Sequence, residues 1–216
     1  MTEQADQAAG TPSDQIGACW SCKGPVTNRA LFCHICGVIQ PPGTADHFSR
    51  LNLARTFDLD KTALERAYFG FQRNVHPDRF ASKSPKEKVL SQAQAVAVND
   101  AWETLRDPLA RAAYLLQLRN TPLPSDDKTV NDPELLMAAL EDREALDEAK
   151  SAGDIDKVKL RAERDYDAAL VALSAAFGAD ELEGARKLTL KLRYLAKFRA
   201  EARAKRTRLD TQAEAK

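Results

Sequence analysis

All four cysteines of this 216-residue chain lie between Cys19 and Cys36, as two Cys-x-x-Cys pairs: Cys19 with Cys22, and Cys33 with Cys36. Two such knuckles can enclose one tetrahedral ion with four thiolates. Zinc is the default occupant. Iron in a rubredoxin-like knuckle is the alternative, and Cys36-Gly37 suits that turn as well. Two disulfides or free thiols are the remaining reading, and a polar chain of cytoplasmic character argues against disulfides. A four-thiolate set is closed, so it offers no open position for metal catalysis. A segment this small cannot bury a core, so a bound ion would supply much of its folding energy. Trp20, Leu31 and Phe32 are expected to cover one side, and His34 and His47 read as surface residues rather than ligands.

A second set of reactive side chains is His76-Pro77-Asp78, flanked by Arg73 and Arg79 in the stretch QRNVHPDRFAS. An imidazole and a carboxylate can do general acid–base chemistry, but they need a third group and a pocket. The only other histidines are His34 and His47. Nucleophile-elbow, phosphate-loop and paired-carboxylate patterns are missing. By position alone the tripeptide is a helix-ending turn, because Pro77 disfavours helical geometry at His76.

The elements that would hold these groups are helical. From Asp60, a good N-cap, Leu64, Ala67, Tyr68, Phe71 and Val75 recur every three or four residues. Arg66 and Arg73 share another face of that helix, Gly70 weakens it, and Phe69 is expected to be partly exposed. Ser84-Pro85 with Glu87 makes a capping box for a second helix reaching about Leu105, with Val98, Trp102 and Leu105 inward. The connection is short, so the two pack antiparallel. Asp107-Pro108 caps LARAAYLLQL. After the linker RNTPLPSDDKTVN, Asp132-Pro133 opens a helix to about Lys150 and Gly153-Asp154 caps the next. In that one Ile155, Val158, Ala162, Tyr166, Ala169, Leu173 and Phe177 form a stripe, and Gly178 is the expected C-cap. A last helix covers about 180–206, with Leu182, Ala185, Leu188, Leu192 and Leu195 in register. Short turns make these three an antiparallel bundle.

Composition agrees. Charged residues are 30% and aromatic residues 6% of the chain, a mix that favours helices with solvated faces. Lys plus Arg equals Asp plus Glu at 32 each, so no global field argues for nucleic acid or membrane. No apolar run approaches the roughly 20 residues of a membrane span. The N-terminus is polar and acidic, unlike a secretory signal or a presequence.

A helix with a basic face, His-Pro-Asp, a polar loop and an antiparallel helix resembles a J-domain, the part of DnaJ-type co-chaperones that stimulates ATP hydrolysis by a DnaK-class chaperone. HPDRFAS, VNDAWETLRDPLARAAYLLQL, LLMAALEDREALDE and KLRYLAKFR narrow the resemblance to HscB, over about 46–206. HscB is the co-chaperone of iron–sulfur cluster biogenesis that delivers an IscU-type scaffold to an HscA-type chaperone. The cysteine module resembles the zinc knuckle of the longer, mitochondrial-type members.

The resemblance implies an all-α protein with a disordered tail (1–15), a four-cysteine zinc knuckle (16–42), a J-domain (46–120), a three-helix scaffold-binding bundle (130–207) and a second disordered tail (208–216). It assigns His76, Pro77 and Asp78 to contact with the HscA/DnaK-type chaperone, and Arg66, Arg73 and Arg79 to the basic surface around them. It assigns Leu136, Met137, Leu140, Glu141, Glu144, Glu148 and Tyr194 to the IscU-type scaffold. Periodicity alone would place Leu136 and Leu140 in the bundle core; the resemblance makes them an exposed patch. Cys19, Cys22, Cys33 and Cys36 hold zinc, with iron as the alternative, and dimerisation through the knuckle stays open. The function implied is co-chaperone, not enzyme, in the bacterial cytoplasm or, for a eukaryotic source, the mitochondrial matrix. A J-protein for other clients is the rival within the class. A zinc-ribbon nucleic-acid binder is the rival outside it, and only Lys23 and Arg29 are basic within the knuckle.

Overall fold

A computed structural model describes residues 16–124 and 132–214, the last three without their side chains. The tail expected over 1–15 lies outside the described residues. The chain divides into two compact units: one runs to Arg55 and resumes over Asp60–Leu105, the other takes Thr56–Leu59 and everything from Arg106 on.

In the first unit a short hairpin, β1 (Ile16–Ala18) and β2 (Pro25–Thr27), pairs Gly17 with Val26. A one-turn helix follows, α1 (His47–Arg50), which the periodicity does not announce. Asp46 caps it by accepting from the Phe48 and Ser49 amides. α2 (Lys61–Val75) starts at Asp60, which accepts from the Thr62 amide at 2.9 Å. α3 (Pro85–Arg106) starts at the expected capping box, with the Ser84 and Glu87 side chains each taking the other's amide. Leu64 and Val75 of α2 are buried, as are Val98, Ala101 and Leu105 of α3. Tyr68 links the two helices: its ring stacks on Trp102 at 4.6 Å and its hydroxyl donates to Asn99 at 3.1 Å.

The end of α2 positions the His-Pro-Asp turn. Pro77 carries no N–H, so the Arg73 carbonyl loses its helical donor. The Arg79 guanidinium donates to that carbonyl instead, at 3.5 Å. The Val75 carbonyl accepts from the buried Ser91 hydroxyl of α3 at 2.7 Å. Two of the open carbonyls at this helix end are thus met by side chains.

The second unit contains α4 (Pro108–Leu118), α5 (Pro133–Glu148), α6 (Ala152–Gly178) and α7 (Leu182–Glu214). α6 and α7 form its main pair, and α4 packs on α7. The inward stripe of α6 is buried at Ile155, Ala162, Ala169 and Leu173, opposite Ala185, Leu192, Leu195 and Phe198 of α7. Phe57 belongs here too, stacked on Phe177 at 5.3 Å, while Asp58 accepts from Ser174 at 2.6 Å.

Four details depart from expectation. The compact units divide the chain elsewhere than the expected boundaries: α4, assigned above to the J-domain span, lies in the second unit, and the cysteine segment lies in the first with α2 and α3. α6 is capped by Ser151, which accepts from the Asp154 amide at 3.1 Å, not by Gly153-Asp154. Gly178 stays helical, and the left-handed residue that ends α6 is Asp180 at φ 57°, where Glu181 N–H reaches Ala176 and Asp180 N–H reaches Phe177. Finally, α7 extends to Glu214 through the span expected to be a disordered tail. Arg206 pairs with Asp210 one turn on, and the Thr207 and Thr211 hydroxyls bond back along the helix.

Ser91→Ala should leave the Val75 carbonyl buried without its donor and cost about 1–3 kcal/mol. Urea denaturation followed by circular dichroism measures this, and an unchanged midpoint would show that the carbonyl does not need Ser91.

Candidate functional site: a thiolate cage, an exposed carboxylate turn and an apolar-acidic helix face

Two turns of the same geometry build the cysteine cluster. Lys23 N–H donates to the Cys19 carbonyl at 3.0 Å and Gly37 N–H to that of Cys33 at 2.8 Å, while Cys19 and Cys33 amides donate to Gly24 and Val38. Lys23 and Gly37 both adopt left-handed φ, 64° and 72°. Glycine does this freely; lysine accepts a cost and sends its Nζ to the Trp20 carbonyl at 3.2 Å.

The four sulfurs lie within 4.8 Å of one another. Cys19 to Cys36 is 3.8 Å and Cys22 to Cys33 is 3.7 Å, so all four are free thiols. Four sulfurs at about 2.3 Å around one ion would stand about 3.8 Å apart. The cluster therefore fits a tetrahedral metal ion. Burial pushes the Cys19 thiol up, but the Cys22 and Ser21 amides, the Gln40 side chain and Cys36 bring it down to about 6. At Cys22 the Gly24 amide acts downward, yet burial and three neighbouring sulfurs push it up to about 11. Four sulfurs this close cannot all ionise without a cation among them.

The stretch QPPGTADH is not a loose connection. Gln40 is 3% exposed. Its Nε2 donates to Cys19 Sγ at 3.3 Å and its carbonyl accepts from Gln94 of α3 at 2.9 Å. Lys86 of α3 sits 4.1 Å over the Trp20 ring. Arg50 donates to the Pro42 and Ala45 carbonyls. Gly43 lies so close to Asn28 that a Cβ would stand 2.0 Å from its carbonyl oxygen. His47 is half-buried, not a surface residue, and burial with Arg50 nearby pushes its imidazole down.

At the end of α2, His76 turns its ring back to the chain. Its Nδ1 accepts from the Asp78 amide at 3.3 Å, capping the 3-10 turn Pro77–Phe80. The Asp78 carboxylate is left 90% exposed. Phe69, Gln72, Arg73, His76 and Arg79 line a shallow cleft of about 430 Å³. Arg66 is exposed two turns earlier and does not line it. No third acid–base group completes a catalytic set among these residues. What the turn presents is one carboxylate beside guanidinium groups, a shape that another protein's charges can read.

On α5, Leu136, Met137 and Leu140 are 45%, 62% and 60% exposed. Glu141, Glu144 and Glu148 are exposed on the same side, one to three turns on. The core reading of Leu136 and Leu140 therefore fails; Leu146 is buried, and Leu135 and Ala139 are half-buried. Tyr194 departs from expectation. It is half-buried against the cluster of Leu146, Ile155, Ala162 and Phe198, with its ring stacked on Phe198 at 6.0 Å. It lines a 250 Å³ cavity with Ala139, Arg143, Lys197, Phe198 and Glu201. Asp142, 6% exposed, is the residue that sequence reasoning missed. Its inward position was legible from the spacing, since it lies three residues after Ala139 and four before Leu146.

A family model described as the HSCB C-terminal oligomerisation domain matches residues 131–203. The mouse iron–sulfur cluster co-chaperone protein HscB is 32% identical over 195 residues, covering 88% of this chain and 83% of the mouse protein. The co-chaperone protein HscB homolog of Burkholderia mallei (strain SAVP1) is 36% identical over 169 residues, covering 76% and 95%. The crystal structure of human co-chaperone protein HscB matches with a TM-score of 0.82 at 32% identity, over 87% of this chain and 98% of that one. The chain belongs to the HscB family of iron–sulfur cluster co-chaperones.

Proposed function

We propose that this chain binds an IscU-type scaffold on α5 and brings it to an HscA/DnaK-type chaperone, whose ATPase it stimulates through His76-Pro77-Asp78. The observation that carries the reading is the face of α5, where three exposed apolar side chains adjoin three exposed carboxylates. Monomeric proteins rarely leave such a cluster uncovered without a partner for it. A scaffold with apolar and basic residues fits that face, with Arg143 and Tyr194 lining the cavity beside it. The chaperone surface is the Asp78 turn with Arg73 and Arg79 beside it and Arg66 further along α2. Hydrolysis itself takes place on the chaperone, so the chain supplies binding and orientation only.

The two surfaces can be separated by experiment. His76→Gln should abolish stimulation of single-turnover ATP hydrolysis and leave scaffold affinity at its wild-type value. Leu136→Ala with Met137→Ala should weaken scaffold binding about tenfold, since truncating an apolar anchor commonly costs about 1–2 kcal/mol, and leave stimulation of the chaperone alone intact. Wild-type stimulation by His76→Gln would reduce the tripeptide to a turn; wild-type affinity of the α5 variant would put the scaffold elsewhere.

The cage is assigned to zinc held by Cys19, Cys22, Cys33 and Cys36. Its chemistry would be structural: a bound dication would neutralise the crowded thiolates and close both knuckles. Protein purified without added metal should carry one zinc per chain by elemental analysis. Chelation should also shift the emission of Trp20, isolated in a Trp102→Phe variant. It should lower the urea midpoint of the first unit, because Gln40 joins Cys19 to α3. Absence of stoichiometric metal would overturn the assignment, and an unmoved midpoint would confine the metal's effect to the knuckle.

A further inference from the structure

α5 is held to its unit by little. Of its sixteen residues only Asp142 and Leu146 are buried. Asp142 therefore stands where a bundle would ordinarily place a leucine; it accepts from the Tyr194 hydroxyl of α7, at 3.2 Å from Oδ2, and pairs more loosely with Arg161 of α6. The same hydroxyl lies 3.3 Å from the Ala139 carbonyl, one turn earlier on α5. A phenol has one hydrogen to give. While Asp142 is ionised, that hydrogen serves either the carboxylate or the carbonyl. Once the carboxyl is protonated, its own O–H donates to the phenolic oxygen, the phenol donates to Ala139, and both links between α5 and α7 are made together.

We propose that Asp142 is the positioning residue for the Tyr194 border of the scaffold patch, and that its protonation tightens α5 against α7 and strengthens scaffold binding. The inference rests on the reading of α5 as the scaffold face. The charged groups around the carboxyl are Arg161 of α6, 4.0 Å from Oδ1, with Asp165 of α6 and Glu141 of α5 further off. Burial pushes the carboxyl above its ordinary range; the Tyr194 hydroxyl and Arg161 act downward without offsetting it, and Asp165 and Glu141 add to the rise. A carboxyl raised in the fold gives its full stability below the ordinary aspartate range and loses it as pH climbs through the raised value.

Asp142→Asn supplies a neutral side chain of the same shape with its own donor. Affinity for purified IscU-type scaffold is measured for wild type and variant at about pH 5 and about pH 7.5. The ratio of the two cancels the titration of the scaffold. At the higher pH the variant should bind about threefold tighter; at the lower pH, nearer the ordinary aspartate range, that advantage should be smaller. The urea midpoint of wild type should fall relative to the variant over the same interval, with helical content retained. In a Tyr194→Phe background the gain should vanish. An affinity ratio that ignores pH, or a gain that survives Tyr194→Phe, overturns the inference alone, provided Leu136→Ala with Met137→Ala still weakens binding. If that double variant binds as wild type, the reading of α5 falls and the inference with it.

Discussion

Pro77 has no amide hydrogen, and much of the first unit is organised around that lack. A helix arriving at His76 cannot continue, so its last carbonyls must find donors from side chains. Arg79 folds back to Arg73, and Ser91 reaches across from α3 to Val75. The second of these bonds fixes where the antiparallel helix lies, because a buried serine hydroxyl tolerates little displacement from its acceptor. With the backbone committed, His76 becomes the cap of the next short turn, and Asp78 has nowhere to go but outward. The exposure of that carboxylate is thus the sum of local backbone requirements, each met by a named side chain.

The second unit works under a different constraint. Its long helices α6 and α7 have continuous apolar stripes and hold each other; α5 has a narrow one. A helix with so little inward surface can present apolar residues outward, since few of them are committed to the core. Leu136, Met137 and Leu140 stay accessible for that reason, and the burial of a carboxylate at Asp142 follows from the same economy of apolar residues.

Most of the helical plan was legible because its signals are local. Asp60, Asp107 and Asp132 cap as their positions suggest, and the inward faces of α2, α3 and α6 follow their periodicity. The thiolate cage was legible from spacing alone. Part of what escaped depends on partners distant in sequence. An apolar helix such as α4 does not declare which neighbour it will cover, so its place beside α7 could not be read. Gln40 and Gln94 look like solvated amides until the fold brings them together. At α6 the glycine looked like the stop, yet helix ends are decided by which residue must turn left-handed, and Asp180 does so two positions later. Tyr194 stacks on Phe198 one turn along its own helix, but the partners of its hydroxyl, Asp142 and the Ala139 carbonyl, lie on α5 and could not be read from α7. The carboxyl-terminal segment looked frayed by composition, whereas pairs at one-turn spacing carry the helix through it.

The close approach of Gly43 to Asn28, with Gln40 lodged between Cys19 and α3, has a consequence for how partners are brought together. A flexible connection of eight residues would let its ends wander over roughly 16 Å, and whatever bound the cysteine module would meet the surroundings of the His-Pro-Asp turn at an effective concentration diluted over that volume. Here the connection is wedged, so the module and the His-Pro-Asp turn travel as one lever. A ligand gripping the cysteine module would inherit a fixed address relative to Asp78, with its orientational entropy already spent during folding.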